Sequence, residues 1–166
     1  MKIVLIVIPL LVILYISYWW FIARNQPEYP PLMISNDDPL MKEAHGKARD
    51  SLTQFRSLLV QHPSSGRVKI PFKTSSGQRE YLWAEVRNLS NVDIEVFYIT
   101  PPVSHTGKLE RIHTHSLNDI ADWIVRLPNG TYAGGFSMRV MFQRAREQFG
   151  SLPPELEAEE RKYVEQ

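Results

Sequence analysis

Hydrophobic and polar positions change rhythm several times along this chain, and each rhythm predicts an element. Residues 3–23 run through Val, Leu, Ile, Tyr, Trp and Phe without one charge, broken only by Pro9 and Ser17. About 20 such residues are needed to cross about 30 Å of hydrocarbon as a helix, so the pattern predicts a transmembrane anchor over 1–24. Tyr15, Tyr18, Trp19, Trp20 and Phe21 crowd its later part, where amphipathic rings settle at the headgroup level. A cleaved signal peptide has a shorter apolar core and small residues at its cleavage site. Trp19-Trp20-Phe21-Ile22-Ala23-Arg24 puts bulky residues there, which favours an anchor that stays attached. Residues 25–32 hold three prolines and read as a stiff spacer.

From Pro39 the period becomes helical. Met41, Ala44, Ala48, Leu52, Phe55 and Leu59 recur at three- and four-residue spacing, which predicts one amphipathic helix ending at His62-Pro63. Asp38 is placed to cap it, and Pro39 sits where its missing N–H costs nothing. Alternation at period two follows. Val68, Ile70 and Phe72 predict one strand, Leu82, Ala84 and Val86 a second, and Val92, Ile94, Val96 and Tyr98 a third. A fourth is expected over residues 109–115. Residues 123–127 and 131–133, joined by Pro128-Asn129-Gly130, predict a hairpin. Ser137 then opens a second helix with Met138, Met141, Phe142, Ala145 and Phe149 on its apolar side, and residues 155–166 read as a charged, solvated or frayed helix. The fold class expected is α+β: an N-terminal transmembrane helix, then a small domain over 33–150 with a bent antiparallel sheet flanked by two helices, then a charged tail over 151–166.

Two stretches resemble the YegJ-like bacterial family of unknown function. One is Ser35-Asn36-Asp37-Asp38-Pro39-Leu40-Met41, continuing through Ala44, Ala48-Arg49, Leu52 and Phe55. The other is Ile120-Ala121-Asp122-Trp123-Ile124 followed by Gly134-Gly135-Phe136-Ser137-Met138-Arg139. The family shows an Asp-Trp before its last hairpin and a Gly-Gly-aromatic-Thr-x-Arg after it; Ser137 stands at the Thr position and keeps the hydroxyl. A Gly-Asp that often precedes the fourth strand is absent, with Leu109-Glu110 near its place. The resemblance covers residues 33–149 and implies bacterial origin and one compact domain. It implies no catalytic residues.

Charge narrows the function classes. Setting Lys2 aside, 18 Lys and Arg face 18 Asp and Glu, and a formally neutral domain lacks the basic excess of a nucleic-acid binder. Without cysteine there is no disulfide and no lipid on an N-terminal Cys, and the chain fits either side of a membrane. The very short N-terminal tail, with Lys2 facing Arg24 across the span, points to the bacterial inner (cytoplasmic) membrane with the domain on the extracytoplasmic side. The partners expected are the lipid bilayer through residues 3–23 and an envelope protein.

Candidate chemistry is sparse. His113 and His115 share one strand face and, with His105 or Asp119, are the weak candidates for a metal; the other reading leaves both in solvent with Ile112 and Thr114 turned inward. Asp119 and Asp122 are three apart and would share a face of a helical turn as paired acids, or simply bond nearby backbone. Gly134-Gly135-Phe136-Ser137 with Arg139 reads as a phosphate cradle, or as a turn with Ser137 as N-cap and Arg139 paired to Asp122. Tyr81 and Trp83 form an aromatic face that is a binding patch if uncovered and core if covered. Arg144 and Arg146 approach anionic lipid on one reading and lie on a solvated helix face on the other. The binding residues expected are Tyr81, Trp83, Asp122, Trp123, Ser137 and Arg139, with no cofactor. The function expected is a non-enzymatic protein-binding module at the cell envelope; the alternative is a small envelope hydrolase or metal-dependent enzyme using His113, His115, Asp119 and Asp122.

Overall fold

The computed structural model describes Tyr15 and residues 34–35, 37–77, 79–106, 108 and 110–164. The chain divides after residue 32, and the elements below belong to the second unit. Helix α1 (Pro39–Asp50) starts as the pattern requires. Asp38 accepts hydrogen bonds from the Leu40 and Met41 amides, with Pro39 in the first turn. The single long helix expected from residue 39 to 61 is in fact two. At Ser51 the side chain donates back to the Lys47 carbonyl at 2.7 Å, and α2 (Leu52–Gln61) begins afresh with no side-chain cap. A hydroxyl bonding the preceding turn competes with helix continuation, and apolar spacing alone does not show it.

Six strands follow in one sheet: β1 (Gly66–Lys73), β2 (Arg79–Leu89), β3 (Asp93–Tyr98), β4 (Ile112–Ser116), β5 (Asp122–Arg126) and β6 (Tyr132–Gly134), in the order β4-β3-β2-β1-β5-β6, all neighbours antiparallel. The fourth strand starts at Ile112 rather than 109. A bulge at Arg87 shifts the β2–β3 register, a local kink that increases twist. Helices α3 (Phe136–Phe149) and α4 (Pro154–Glu160) close the domain; among the described residues the first expected helix is thus two, and the tail expected as a solvated or frayed helix contains the short α4.

One face of the sheet carries Val68, Ile70, Phe72, Leu82, Ala84, Ile94, Val96, Tyr98, Trp123, Val125 and Ala133, buried together with Ala48 of α1 and Phe55 of α2. Register explains the selection: Val68 lies opposite both Ala84 and Trp123, so their side chains leave the same face. Trp123 anchors the helices to this face. It is fully buried, packs tilted against Phe55 with ring centres 5.2 Å apart, and donates its indole N–H to the Ala48 carbonyl and to Ser51 Oγ, both at 3.1 Å. Strand β5 is buried on its other face as well, through Asp122 and Ile124. A smaller apolar cluster of Met41, Ala44 and Val140 joins α1 to α3.

The transmembrane helix expected at the N-terminus is corrected. Among the described residues no helix is long and apolar enough to cross a membrane. Residues 3–23, the supposed single-pass signal anchor, lie outside the described residues apart from Tyr15. Among the described residues the architecture is an α+β domain with no membrane-spanning helix, and the single-pass inner-membrane placement that rested on the anchor is not supported.

Candidate functional site

Three of the residues singled out by the sequence, Asp122, Trp123 and Ser137, meet at the junction of β5, β6 and α3. Asp122 begins β5 on the face opposite the main core, fully buried. Its Oδ1 accepts the amides of Trp123 (2.8 Å) and Phe136 (3.2 Å). Its Oδ2 accepts the amide of Ser137 (2.7 Å) and the Ser137 hydroxyl (2.6 Å). The carboxylate thus caps the free N-terminus of α3 from a neighbouring strand, where negative charge is favoured by the orphan N–H groups. Ser137 is not the N-cap; Gly135 occupies that position and offers no side chain. Lys69, opposite Asp122 in register on β1, donates to Ser137 Oγ at 3.3 Å. Burial pushes the Asp122 carboxyl up while the Ser137 and Trp123 hydrogen bonds and the Lys69 ammonium pull it back. Burial pushes the Lys69 ammonium down, and Asp122 draws it up.

Two glycines let the chain pass this point. Gly134 and Gly135 have φ of 79° and 69°, the left-handed region open to glycine at little cost. A Cβ on Gly134 would collide with the Trp123 carbonyl and ring, and one on Gly135 would stand 2.5 Å from the Tyr163 ring. The Gly-Gly-aromatic-Ser motif is therefore a close-packed backbone junction. Its helix N-terminus is already occupied by Asp122, which leaves no room for the phosphate reading.

Arg139 does not pair with Asp122. Its Nη2 donates to the main-chain carbonyl of Val164 at 2.6 Å, its guanidinium lies 5.6 Å from the Phe136 ring centre, and its Nε is buried without a partner among the described residues. It lines a cleft of about 420 Å³ between α1 and α3, together with Leu40, Ala44, Lys47, Val140, Gln143 and Val164. Val164 belongs to a segment that sequence reading left as part of a frayed tail. After α4 the chain lies along β6 as a parallel partner. The Tyr132 amide donates to the Lys162 carbonyl (2.7 Å) and the Val164 amide to the Tyr132 carbonyl (3.2 Å). Tyr163 packs between Tyr132 and Phe142, at 5.1 and 5.7 Å between ring centres. The only hint in sequence is an aromatic and a β-branched residue, Tyr163-Val164, inside a charged run.

The other candidates are placed elsewhere. Tyr81 and Trp83 are half-buried on the sheet face opposite the main core, and Tyr81 packs 5.5 Å from His45 of α1. The aromatic face is thus partly covered rather than an open patch. His113 and His115 turn the way opposite to the solvent reading: they lie across from buried Val96 and Ile94 on the core face, half-buried, while Ile112 is 60% exposed. Their rings stand 6.1 Å apart against Tyr98, whose hydroxyl meets His115 Nε2 at 2.8 Å, and His113 Nε2 contacts the Glu110 carbonyl at 2.7 Å. His105 packs on Phe72 at 5.3 Å. Among the described residues no group of three or more His, Asp or Glu is arranged to hold a metal. Asp119 and Asp122 do not share a helical face: Asp119 is exposed at the end of a 3-10 turn (Leu117–Asp119), while Asp122 is buried in β5. Arg144 is held by Asp38 through two hydrogen bonds (2.9 and 3.1 Å) and by Glu147, and Arg146 by Glu160.

No curated protein matches this chain, and no solved structure does. A family model does match, over residues 38–151, from the Asp38 cap to the end of α3, and it bears the description "uncharacterized protein conserved in bacteria (DUF2314)". The match supports a bacterial domain of unknown function without naming the YegJ-like group. It spans well over half of the chain, from the cap of α1 through the whole junction around Asp122, and the chain therefore belongs to the DUF2314 family of uncharacterized bacterial proteins.

Proposed function

We propose that the domain is a non-enzymatic module that binds another protein, and that its contact site is the cleft between α1 and α3. The observation that supports this reading is Arg139. A planar guanidinium offers five N–H donors in a fixed fork. Here one end already grips the main-chain carbonyl of Val164, which itself lines the cleft, and the guanidinium is part of the cleft lining. Such a fork suits the backbone or a carboxylate of a bound segment, while Leu40, Ala44 and Val140 supply apolar wall. The hydroxyl and carboxylate nearest to it are committed. Ser137 is fully buried and donates to Asp122, and Asp122 holds the α3 N-terminus. A nucleophile needs access and a free base, so this pair supports a structural role. The YegJ-like resemblance remains a proposal beside it, supported by Asp122-Trp123 and by Gly134-Gly135-Phe136-Ser137 with Arg139.

A photo-crosslinking residue placed at Gln143, exposed on the cleft rim, tests the reading in cells expressing the full chain. It should capture one recurrent protein, the same residue at Val92 on the β2–β3 turn should not, and Arg139→Gln should reduce capture at least about five-fold, the loss of one charge-assisted hydrogen bond. Equal capture at the two positions, or capture indifferent to Arg139, contradicts it.

A further inference from the structure

Strand β6 has only three residues and pairs with β5 on one side. Its other side is the end of the sheet, a row of main-chain donors and acceptors that template the addition of another strand. Residues 162–164 occupy that place. Four interactions seat them: the two main-chain hydrogen bonds with Tyr132, the Arg139 grip on the Val164 carbonyl, and the Tyr163 ring between Tyr132 and Phe142 over Gly135. The pairing is a single parallel bridge rather than a ladder. The seat lies inside the matched span and the occupant outside it. Tyr132, Gly135, Arg139 and Phe142 lie within the family span, which ends at residue 151, and Lys162, Tyr163 and Val164 lie beyond it.

We propose that the β6 edge with Arg139 is a strand-addition site for an extended peptide carrying an aromatic residue followed by a β-branched one, and that residues 162–164 are its built-in, exchangeable occupant. This rests on the reading of the cleft as a protein-binding site and names the chemistry of the partner. The partner lies parallel to β6, gives a carbonyl to the Tyr132 amide and an amide to the Tyr132 carbonyl, places its aromatic ring where Tyr163 sits, and gives its next carbonyl to Arg139. Hydrogen bonds to the main chain supply affinity without sequence demand, and the ring slot supplies selectivity. A tethered occupant acts at high effective concentration, so the intact chain resists competitors until its tail is loosened.

The test uses the full chain and a synthetic peptide Glu-Arg-Lys-Tyr-Val-Glu-Gln, the sequence of residues 160–166. Val164→Pro removes the amide that bonds Tyr132 and leaves the seat intact. In amide-resolved NMR titrations, Val164→Pro should bind the peptide at least about ten-fold more tightly than the unaltered chain, as expected when a tethered competitor is removed. Shifts should centre on Tyr132, Ala133 and Arg139. Arg139→Gln added to Val164→Pro, or Ala in place of Tyr in the peptide, should abolish the effect. A folded Val164→Pro chain that ignores the peptide, or one that binds the Tyr-to-Ala peptide equally well, overturns the proposal. Retained Arg139-dependent capture at Gln143 with no peptide binding would remove strand addition and keep the cleft reading. Peptide binding without capture at Gln143 would do the reverse.

Discussion

Replacing Asp122 by Asn keeps the shape of the buried junction and changes one oxygen into an amino group. Both oxygens are acceptors in the structure, Oδ1 for two main-chain amides and Oδ2 for one amide and a hydroxyl. Whichever way the new amide is turned, its NH2 faces at least one main-chain N–H that has no other partner. The Ser137 hydroxyl can rotate to accept, but an N–H cannot. An unsatisfied buried donor costs about 1–3 kcal/mol. Lys69, half-buried and opposite in register, also loses its counter-charge. Removing one partner of a fully buried ion pair costs about 3–5 kcal/mol, and partial access of Lys69 to water together with its bond to Ser137 places this site well below that range. The expected loss is about 3 kcal/mol. With a urea slope of about 1–3 kcal/mol per molar, the unfolding midpoint should fall by about 1.5 M at unchanged slope. Tryptophan fluorescence reads it directly, because Trp123 adjoins the junction. The double variant Asp122→Asn with Lys69→Met should lose less than the two single losses added together, by about 1 kcal/mol or more, because the uncompensated charge is gone. A midpoint shift under about 0.5 M, or strict additivity, would refute the view that this carboxylate holds β5, Lys69 and α3 together.

Other expectations follow from the same geometry. Burial and the nearby Lys69 and Arg49 charges push the His45 imidazole down to about 4. The folded state therefore favours the neutral ring, the unfolded chain binds more protons, and stability should be complete above about pH 6.5 and decline as pH falls toward about 4. His45→Phe should reduce the decline of the thermal midpoint across that window, leaving the part due to His115, whose imidazole is also pushed down by burial, and an unchanged slope would count against the assignment. Gly134→Ala puts a side chain at φ 79° against the Trp123 carbonyl, so denaturant unfolding should show a loss of more than about 2 kcal/mol. Gly135→Ala should chiefly dislodge Tyr163 and leave the midpoint of the core less affected; the reverse ranking would be wrong for this packing. Trp123→Ala should cost about 3–5 kcal/mol in the same assay, with most of it from the cavity beside Phe55.

Much of the domain was legible in the alternation of residues 66–134, because each half-buried strand must place every second side chain in the core. The Asp38-Pro39 start was legible because capping is local chemistry. The break at Ser51 was not, since a hydroxyl's choice between solvent and the preceding turn leaves no trace in apolar spacing. The site divided in the same way. Asp122, Ser137 and Arg139 could be singled out, but which of the latter two faces Asp122 depends on backbone turning at Gly134 and Gly135. Arg139 turned to a carbonyl 25 residues further along the chain. The faces of β4 were misjudged because His113 and His115 are amphipathic enough to line a core edge against Tyr98. Residues 162–164 were missed because a single bridge carries no periodicity.

The most direct measurement is native-state amide hydrogen exchange on the full chain. If residues 162–164 are an exchangeable strand, the Val164 and Tyr132 amides exchange through a local opening. Arg139→Gln then speeds both while leaving the Val68 and Val125 amides at the rate of global unfolding. If Val164 and Tyr132 instead exchange only when Val68 and Val125 do, the segment is an integral part of the sheet and the β6 edge is not a binding site.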